Sequence, residues 1–265
     1  MKRLWYAMNE WMYVAAVLTV AIGGFFVHSL SVSGAVATVF IGLAVAAGFS
    51  WKGLCLLGVF FVSSSFWSHF RHQQKQKLVE KVEKGAQRDY IQVLANGSIP
   101  AAISLLSLVF PSSLWQAMFI VSIAAANADT WASEIGSTSQ QPPRLITTWK
   151  KVEPGTSGAV TLLGTFASFF GALVIAIASS QLWKDVPIFV VTIIGFLGSL
   201  FDTYFGAVWQ AMYRCDVCGI ETEKRAHCGK KTVRIKGVRF IDNNLVNWLS
   251  IACSSIVYFF VTKLQ

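Results

Sequence analysis

Residues 117–136 read "AMFIVSIAAANADTWASEIG", an apolar run that passes without any turn signal into Asn127, Asp129, Thr130, Ser133 and Glu134. A stretch this apolar belongs in a membrane or a buried core, yet it ends in two carboxylates. Ionisable groups within or beside membrane spans are expensive and face a bundle interior or a water-filled cavity. The rest of the chain supports the membrane reading. Only 13% of the 265 residues are charged and 54% are hydrophobic, with mean hydropathy +0.55, whereas soluble domains carry about 25% charged residues.

A hydrocarbon core of about 30 Å needs roughly 20 apolar residues per helix. Segments 5–28, 34–50, 51–67, 91–110, 113–128, 158–180, 186–209 and 245–262 meet that description, 34–67 being either two short spans or one span and a re-entrant piece. The expected fold is therefore all-α: a single polytopic helical membrane domain over 1–265, with 7–8 transmembrane helices. The basic start and long apolar core of 1–24 read as a first membrane helix. The polar stretches 68–90, 129–157 and 210–244 are each too short for a sizeable core of their own.

The net charge of +9 does not indicate nucleic acid, because the basic residues lie between spans. Those three polar stretches hold 17 of the 22 Lys and Arg, and an eight-span count puts all three on one side, cytoplasmic by the positive-inside rule. The same count puts Lys2 and Arg3 outside, against the rule, so an even number of crossings in the first three segments is the alternative. The expected location is an integral membrane protein, in the cytoplasmic membrane if the host is a prokaryote, with its site facing the cytoplasm.

Five polar helix ends fall on that side: 84–101, 127–136, 152–165, 198–210 and 241–250. They predict one polar pocket. Ser199, Asp202, Thr203, Gly206 and Gln210 recur at three- and four-residue intervals and share a helix face. Asn127, Thr130 and Glu134 share another face, from which Asp129 and Ser133 point away, so both carboxylates reach one ligand only where the helix ends or bends. "IVSIAAANADTWASEIG" and "TIIGFLGSLFDTYFGAV" each place Asp-Thr-aromatic after an apolar run, a hint of two parallel repeats.

Carboxylates in a pocket with basic neighbours suit a magnesium-bound polyphosphate, since Mg²⁺ takes oxygen ligands and binds through one or two carboxylates plus phosphate. Asp129, Glu134, Asp202 and Asp242 are the candidate ligands, with Lys84 and Arg88, or Lys150 and Lys151, to offset phosphate charge. "EPGTSG" (153–158) sets Gly155, Thr156 and Ser157 just before a helix, where backbone N–H groups bind anions. It is not a Walker A loop, having no Gly-Lys-Ser/Thr. "CDVCGIETEKRAHC" gathers Cys215, Cys218, His227 and Cys228 in one basic loop. Two readings stay open there: structural Zn²⁺, or reduced thiols that shape the loop, adjacent His and Cys being awkward joint ligands. Cys55 and Cys253 lie in apolar runs and are expected to be core residues.

In order along the chain, "RDYIQVLANGSIPA", "ADTWASEIG", "VEPGTSGAVTLLGT", "GSLFDTYFGAVWQ", "CDVCG", "HCG" and "IDNNLVN" resemble the integral-membrane family of transmembrane protein 19 and the plant and cyanobacterial phytyl-phosphate kinases. The resemblance covers roughly residues 15 to 260 and implies transfer of the γ-phosphate of CTP, or another nucleoside triphosphate, to a prenyl monophosphate such as phytyl or geranylgeranyl phosphate. Carried over by motif, it implies that Asp129, Glu134 and Asp202 hold Mg²⁺. Lys84, Arg88, Asn96, Glu153, Thr156 and Ser157 would contact nucleotide or phosphates, and Asp242, Asn243 and Asn247 would complete the wall, beside Ser199 and Thr203. Expected partners are the nucleotide, the lipid phosphate and membrane lipids, not nucleic acid, with a homodimer as one assembly. The rival readings are a cytidylyltransferase making a CDP-activated lipid, a lipid or solute transporter, and a zinc-bearing scaffold.

Overall fold

The computed structural model describes residues 2–70 and 87–263, with side chains from residue 10 onward. Seven helical elements are present among the described residues: α1 (Lys2–Phe26), α2 (Val32–His69), α3 (Tyr90–Val109), α4 (Ser113–Gly136), α5 (Leu162–Leu182), α6 (Ile188–Val208) and α7 (Asn243–Lys263). Five of these, α2, α3, α5, α6 and α7, are long and apolar enough to cross a membrane. Large side chains such as Phe40, Val62, Leu162 and Phe189 point outward, as a lipid-facing surface requires and an aqueous one disfavours.

The 38 residues of α2 would make a straight helix about 57 Å long, nearly twice the hydrocarbon thickness. The chain instead breaks at Ser50, where φ is +55° and ψ −149°. A Cβ on Gly53 would lie 2.8 Å from Cγ1 of Val45, eight residues earlier, although a straight helix separates such positions by about 12 Å. Arg88 touches both ends of α2: its carbonyl accepts from Ser31 N–H (3.0 Å), and its guanidinium donates to Ser65 Oγ (3.1 Å). α2 is therefore a hairpin of two antiparallel arms, 32–49 and 51–69, which match the two short segments read from the sequence.

α4 sits in the middle. Its residues Met118–Ala128 are buried without interruption, and it packs on α2, α3, α5, α6 and α7. A helix shielded by others need not be apolar at its end, which is why α4 can carry Asn127, Asp129 and Glu134. Small residues set the approach of its neighbours, as they do between membrane helices. A Cβ on Gly195 of α6 would come within 2.7 Å of Ala124 Cβ, and one on Gly198 within 2.5 Å of Ala125 Cβ and Ser254 Oγ. Gly198→Val must push α6 off α4 and α7. A loss of about 2–3 kcal/mol is expected, read as a lower unfolding midpoint in detergent; an unchanged midpoint would refute this close packing.

The all-α expectation fits the bundle but not its connections, where short strands satisfy backbone groups that no helix covers. β1 (Arg144–Leu145) pairs antiparallel with β2 (Ala159–Val160). In the stretch after α6, β3 (Met212–Arg214) lies between β4 (Glu221–Thr222) and β7 (Val233–Lys236), and β5 (Ala226–His227) pairs with β6 (Lys230–Lys231). The starts of α3, α5 and α7 and the ends of α1, α2, α4 and α6 all meet at this end of the bundle. The Ser50 bend lies at the other, where Lys52 Nζ stands 5.9 Å from the Trp183 ring centroid.

Candidate functional site

Helix geometry decides which polar side chains meet. Asp129 and Glu134 are five residues apart, about 140° around a helix, and α4 neither bends nor ends between them. They therefore point to different sides of α4: of the three carboxylates expected together, Asp129 and Asp202 line one cavity and Glu134 does not.

The first compartment is a polar cavity of about 290 Å³ bounded by α4, α5, α6 and the 137–161 connection. Asp129 of α4 and Asp202 of α6 both line it, with their carboxyl groups within hydrogen-bonding reach of each other. This pairing follows from two helices that run in the same direction and touch through Gly195, Gly198, Ala124 and Ala125. Ser250 Oγ donates to Asp202 Oδ1 (3.3 Å). Asn247, with its amide turned as its neighbours require, donates to the same oxygen and to the Asn243 carbonyl, both at 2.9 Å. Asp202 is thus held from α7.

Gly155, Thr156, Ser157, Ser199, Thr203 and Asn243 also line the cavity. The 153–158 turn does not lead straight into a helix: β2 intervenes, and α5 starts at its N-cap Thr161, whose Oγ1 accepts from Gly164 N–H (3.0 Å). Gly158 has φ +82°, and a Cβ there would fall on Ala207, so only glycine lets this turn lie against α6. Ser157 Oγ bonds the Gly206 carbonyl (3.0 Å) and Gln210 Oε1 (2.6 Å). Asp242 accepts from Leu245 N–H (2.9 Å); it caps α7 rather than facing the cavity.

Two further residues were not singled out. Glu223 lines the cavity, its Oε1 accepting from Gln210 Nε2 (2.7 Å), and it adds negative charge near Asp202. Lys236 Nζ reaches the carbonyls of Ser157 (3.4 Å) and Ala207 (3.5 Å), tying the turn to the end of α6; burial pushes its pKa down, and Glu221 opposes this. No Lys or Arg lines the polar cavity among the described residues. Lys150 and Lys151 lie on the exposed connection, and Lys84 lies outside the described residues.

The second compartment is an apolar cavity of about 270 Å³ between α1, α2 and α3. Val17, Ile41, Leu57 and Phe61 are among its walls, and Arg88, Gln92, Asn96 and Thr130 give it a polar end. Arg88 and Asn96 thus stand apart from the cavity of Asp202. Besides Ser65, the Arg88 guanidinium reaches Ser68 Oγ (3.3 Å), which donates to Glu134 Oε1 (2.7 Å). Burial lowers the pKa of Arg88, and the Glu134 charge acts against that. Asn96 Nδ2 donates to the Gln92 carbonyl (3.1 Å), while its buried Oδ1 has no protein partner. Thr130 here and Asp129 in the polar cavity are consecutive residues, so the two compartments adjoin across α4. Glu153 lines a separate recess with Val152, Met212 and Cys218.

At the rim, the ligand atoms of Cys215, Cys218, His227 and Cys228 lie within 4.8 Å of one another. The backbone N–H of Cys218, helped by His227 and the Val217 backbone, brings the Cys215 thiol down to about 6, while Cys218 and burial push Cys228 up to about 11.

Residues 15–255 match the family described as integral membrane protein DUF92. Over 257 residues the chain is 30% identical to Protein PGR of Arabidopsis thaliana, covering 86% of this chain and 88% of that protein. It is 37% identical to an uncharacterized membrane protein of Methanocaldococcus jannaschii over 60% of this chain and 66% of the other. Protein VTE6, chloroplastic, of Arabidopsis thaliana is 26% identical over 87% of this chain and 65% of its own length. No solved structure matches. The chain belongs to the integral membrane protein DUF92 family, the family of transmembrane protein 19 and the phytyl-phosphate kinases whose motifs it carries.

Proposed function

We propose that this membrane protein is a kinase that moves the γ-phosphate of CTP, or of another nucleoside triphosphate, onto a prenyl monophosphate such as phytyl or geranylgeranyl phosphate, giving the diphosphate. One observation carries the reading: Asp129 and Asp202 face each other in a hydroxyl-rich cavity with no Lys or Arg among its described lining residues. Two juxtaposed carboxylates need a proton or a cation between them, and a polyanion enters such a cavity only with cations. An all-oxygen donor set of hard carboxylates suits Mg²⁺ rather than a thiophilic metal. Asp129 and Asp202 would hold it, with Glu223 nearby, and the ion would offset polyphosphate charge.

The remaining work falls to the chain's own groups. Ser250 and Asn247 fix the Asp202 carboxylate, so its orientation does not have to be found during the reaction. The glycine turn offers backbone donors to phosphate oxygens, and the Thr156 and Ser157 hydroxyls would join them by exchanging their present bonds to the Glu153 carbonyl and to Gly206 and Gln210. In the neighbouring cavity the apolar walls would take the prenyl chain, and Arg88 the phosphate, whose two oxygens match the guanidinium fork. The unpartnered Asn96 Oδ1 is an acceptor for a phosphate still bearing a proton. The acceptor oxygen is already anionic at neutral pH, so no strong base is required, and positioning plus charge compensation supplies most of the rate.

Seven or eight membrane crossings, with the α2 arms counted separately, would put the cavity and the basic connections on the cytoplasmic side. The test is direct: the purified chain in detergent, Mg²⁺, γ-labelled CTP or ATP and a panel of prenyl monophosphates. Label in a prenyl diphosphate supports the kinase. Pyrophosphate release with formation of a CDP-lipid would replace it with cytidylyl transfer, and a folded chain that labels no lipid would refute it for these substrates.

A further inference from the structure

The stretch between α6 and α7 contains two tight β-hairpin turns that face each other. β3 and β4 flank "CDVCG", which ends in Gly219 at φ +75°, and Gly219 N–H bonds the Cys215 carbonyl at 2.8 Å. β5 and β6 flank "HCG", which ends in Gly229 at φ +73°. Each turn offers two ligand side chains toward the other. Adjacent His and Cys residues normally diverge, but Cys228 adopts φ +50°, and this left-handed turn swings its sulfur to the side of the His227 ring. Nδ1 of His227 then stands 3.4 Å from Cys218 Sγ and 3.3 Å from Cys228 Sγ.

Those separations can be compared with a metal polyhedron. Zn–S of about 2.3 Å and Zn–N of about 2.05 Å give a tetrahedral N···S edge of about 3.6 Å and an S···S edge of about 3.8 Å. Four donors within 4.8 Å, two of the edges already at 3.3 and 3.4 Å, need only a slight adjustment to enclose an ion. Three thiolates and one imidazole form a closed set that leaves no position for substrate, the pattern of a structural site.

We propose that Cys215, Cys218, His227 and Cys228 bind one Zn²⁺, and that the ion locks the two turns together as the wall that carries Glu223 to the rim of the polar cavity. Few buried side chains pack around the two turns. The segment's buried residues are Gln210, Ala211, Met212, Tyr213, Cys215 and Thr222, while Val217, Cys218, Arg225, Lys230, Lys231, Val233 and Arg234 are exposed. Glu223 lies five residues after Cys218 and four before His227, between the two turns. With the ion present, Glu223 is held against Gln210, and through it Ser157. This assignment does not depend on which reaction the cavity performs.

The test uses the full chain in detergent, purified without added metal. Elemental analysis is expected to give about one zinc per chain, and Cys218→Ser and Cys228→Ser about tenfold less. Co²⁺ supplied to the metal-free chain is expected to give the intense visible bands of a tetrahedral thiolate site. Trypsin supplies the second readout: removal of zinc is expected to open Lys224, Arg225, Lys230 and Lys231 to cleavage, and zinc to close them again. Substoichiometric zinc with no cobalt bands would overturn the site, and stoichiometric iron would overturn the choice of metal. Bound zinc whose removal leaves the tryptic pattern unchanged would overturn the locking role.

Discussion

Asp202→Asn is expected to lower kcat for phosphate transfer about 10³-fold, roughly 4 kcal/mol of transition-state stabilisation, without unfolding the protein. Asparagine keeps the shape of aspartate, and its carbonyl oxygen can still accept from Ser250 and Asn247. The apo protein should become more stable, because the substitution removes one of two carboxylates that face each other. A higher unfolding midpoint in EDTA together with lost activity is the signature of a residue kept for binding a cation rather than for folding. Mg²⁺ with CTP should stabilise the wild type by about 2.7 kcal/mol at a hundred times its Kd, and the variant hardly at all. Asp129→Asn should behave in the same way. Activity retained within a few-fold in either variant would remove the pair from the reaction.

Much of this was legible in the sequence because membrane helices declare themselves by length and hydropathy. The break at Ser50 was legible as two short segments, 34–50 and 51–67, each near a bilayer's thickness. Asp129 and Asp202 were legible as polar ends of apolar runs, and the shared Asp-Thr-aromatic pattern linked them before any geometry was known. The partition of the remaining polar residues was not legible. That Arg88 pairs with Glu134 through Ser68 depends on the α2 hairpin bringing residue 68 beside residue 88, a contact no periodicity reveals. Glu223 was hidden for a similar reason: nothing local distinguishes it from Glu221, which points outward to Arg214. Only the folding back of the 212–236 strands selects between them. The strands themselves are two to four residues long, too short to leave an alternating pattern.

If the lipid phosphate is held as proposed, Arg88→Gln is expected to raise its KM about 100-fold, with KM for the nucleotide little changed, since Arg88 does not line the cavity of Asp129 and Asp202. The single variant also removes the charge that acts on Glu134 and the bonds to Ser65 and Ser68, so stability is expected to fall with it. Lost activity alone would therefore not separate a binding role from a structural one. The double variant Arg88→Gln, Glu134→Gln does. It removes both charges and keeps hydrogen-bonding groups beside Ser65 and Ser68, so stability should return toward the wild-type midpoint. If Arg88 only cross-links α2 to α4, activity returns with it. If Arg88 holds the lipid phosphate, the protein is stable again and KM for the lipid stays high. Arg88→Lys should fall between, because an ammonium keeps the charge but not the two-pronged contact. A lipid KM that recovers in the double variant would move the acceptor phosphate out of the apolar cavity and leave Arg88 as a structural tie.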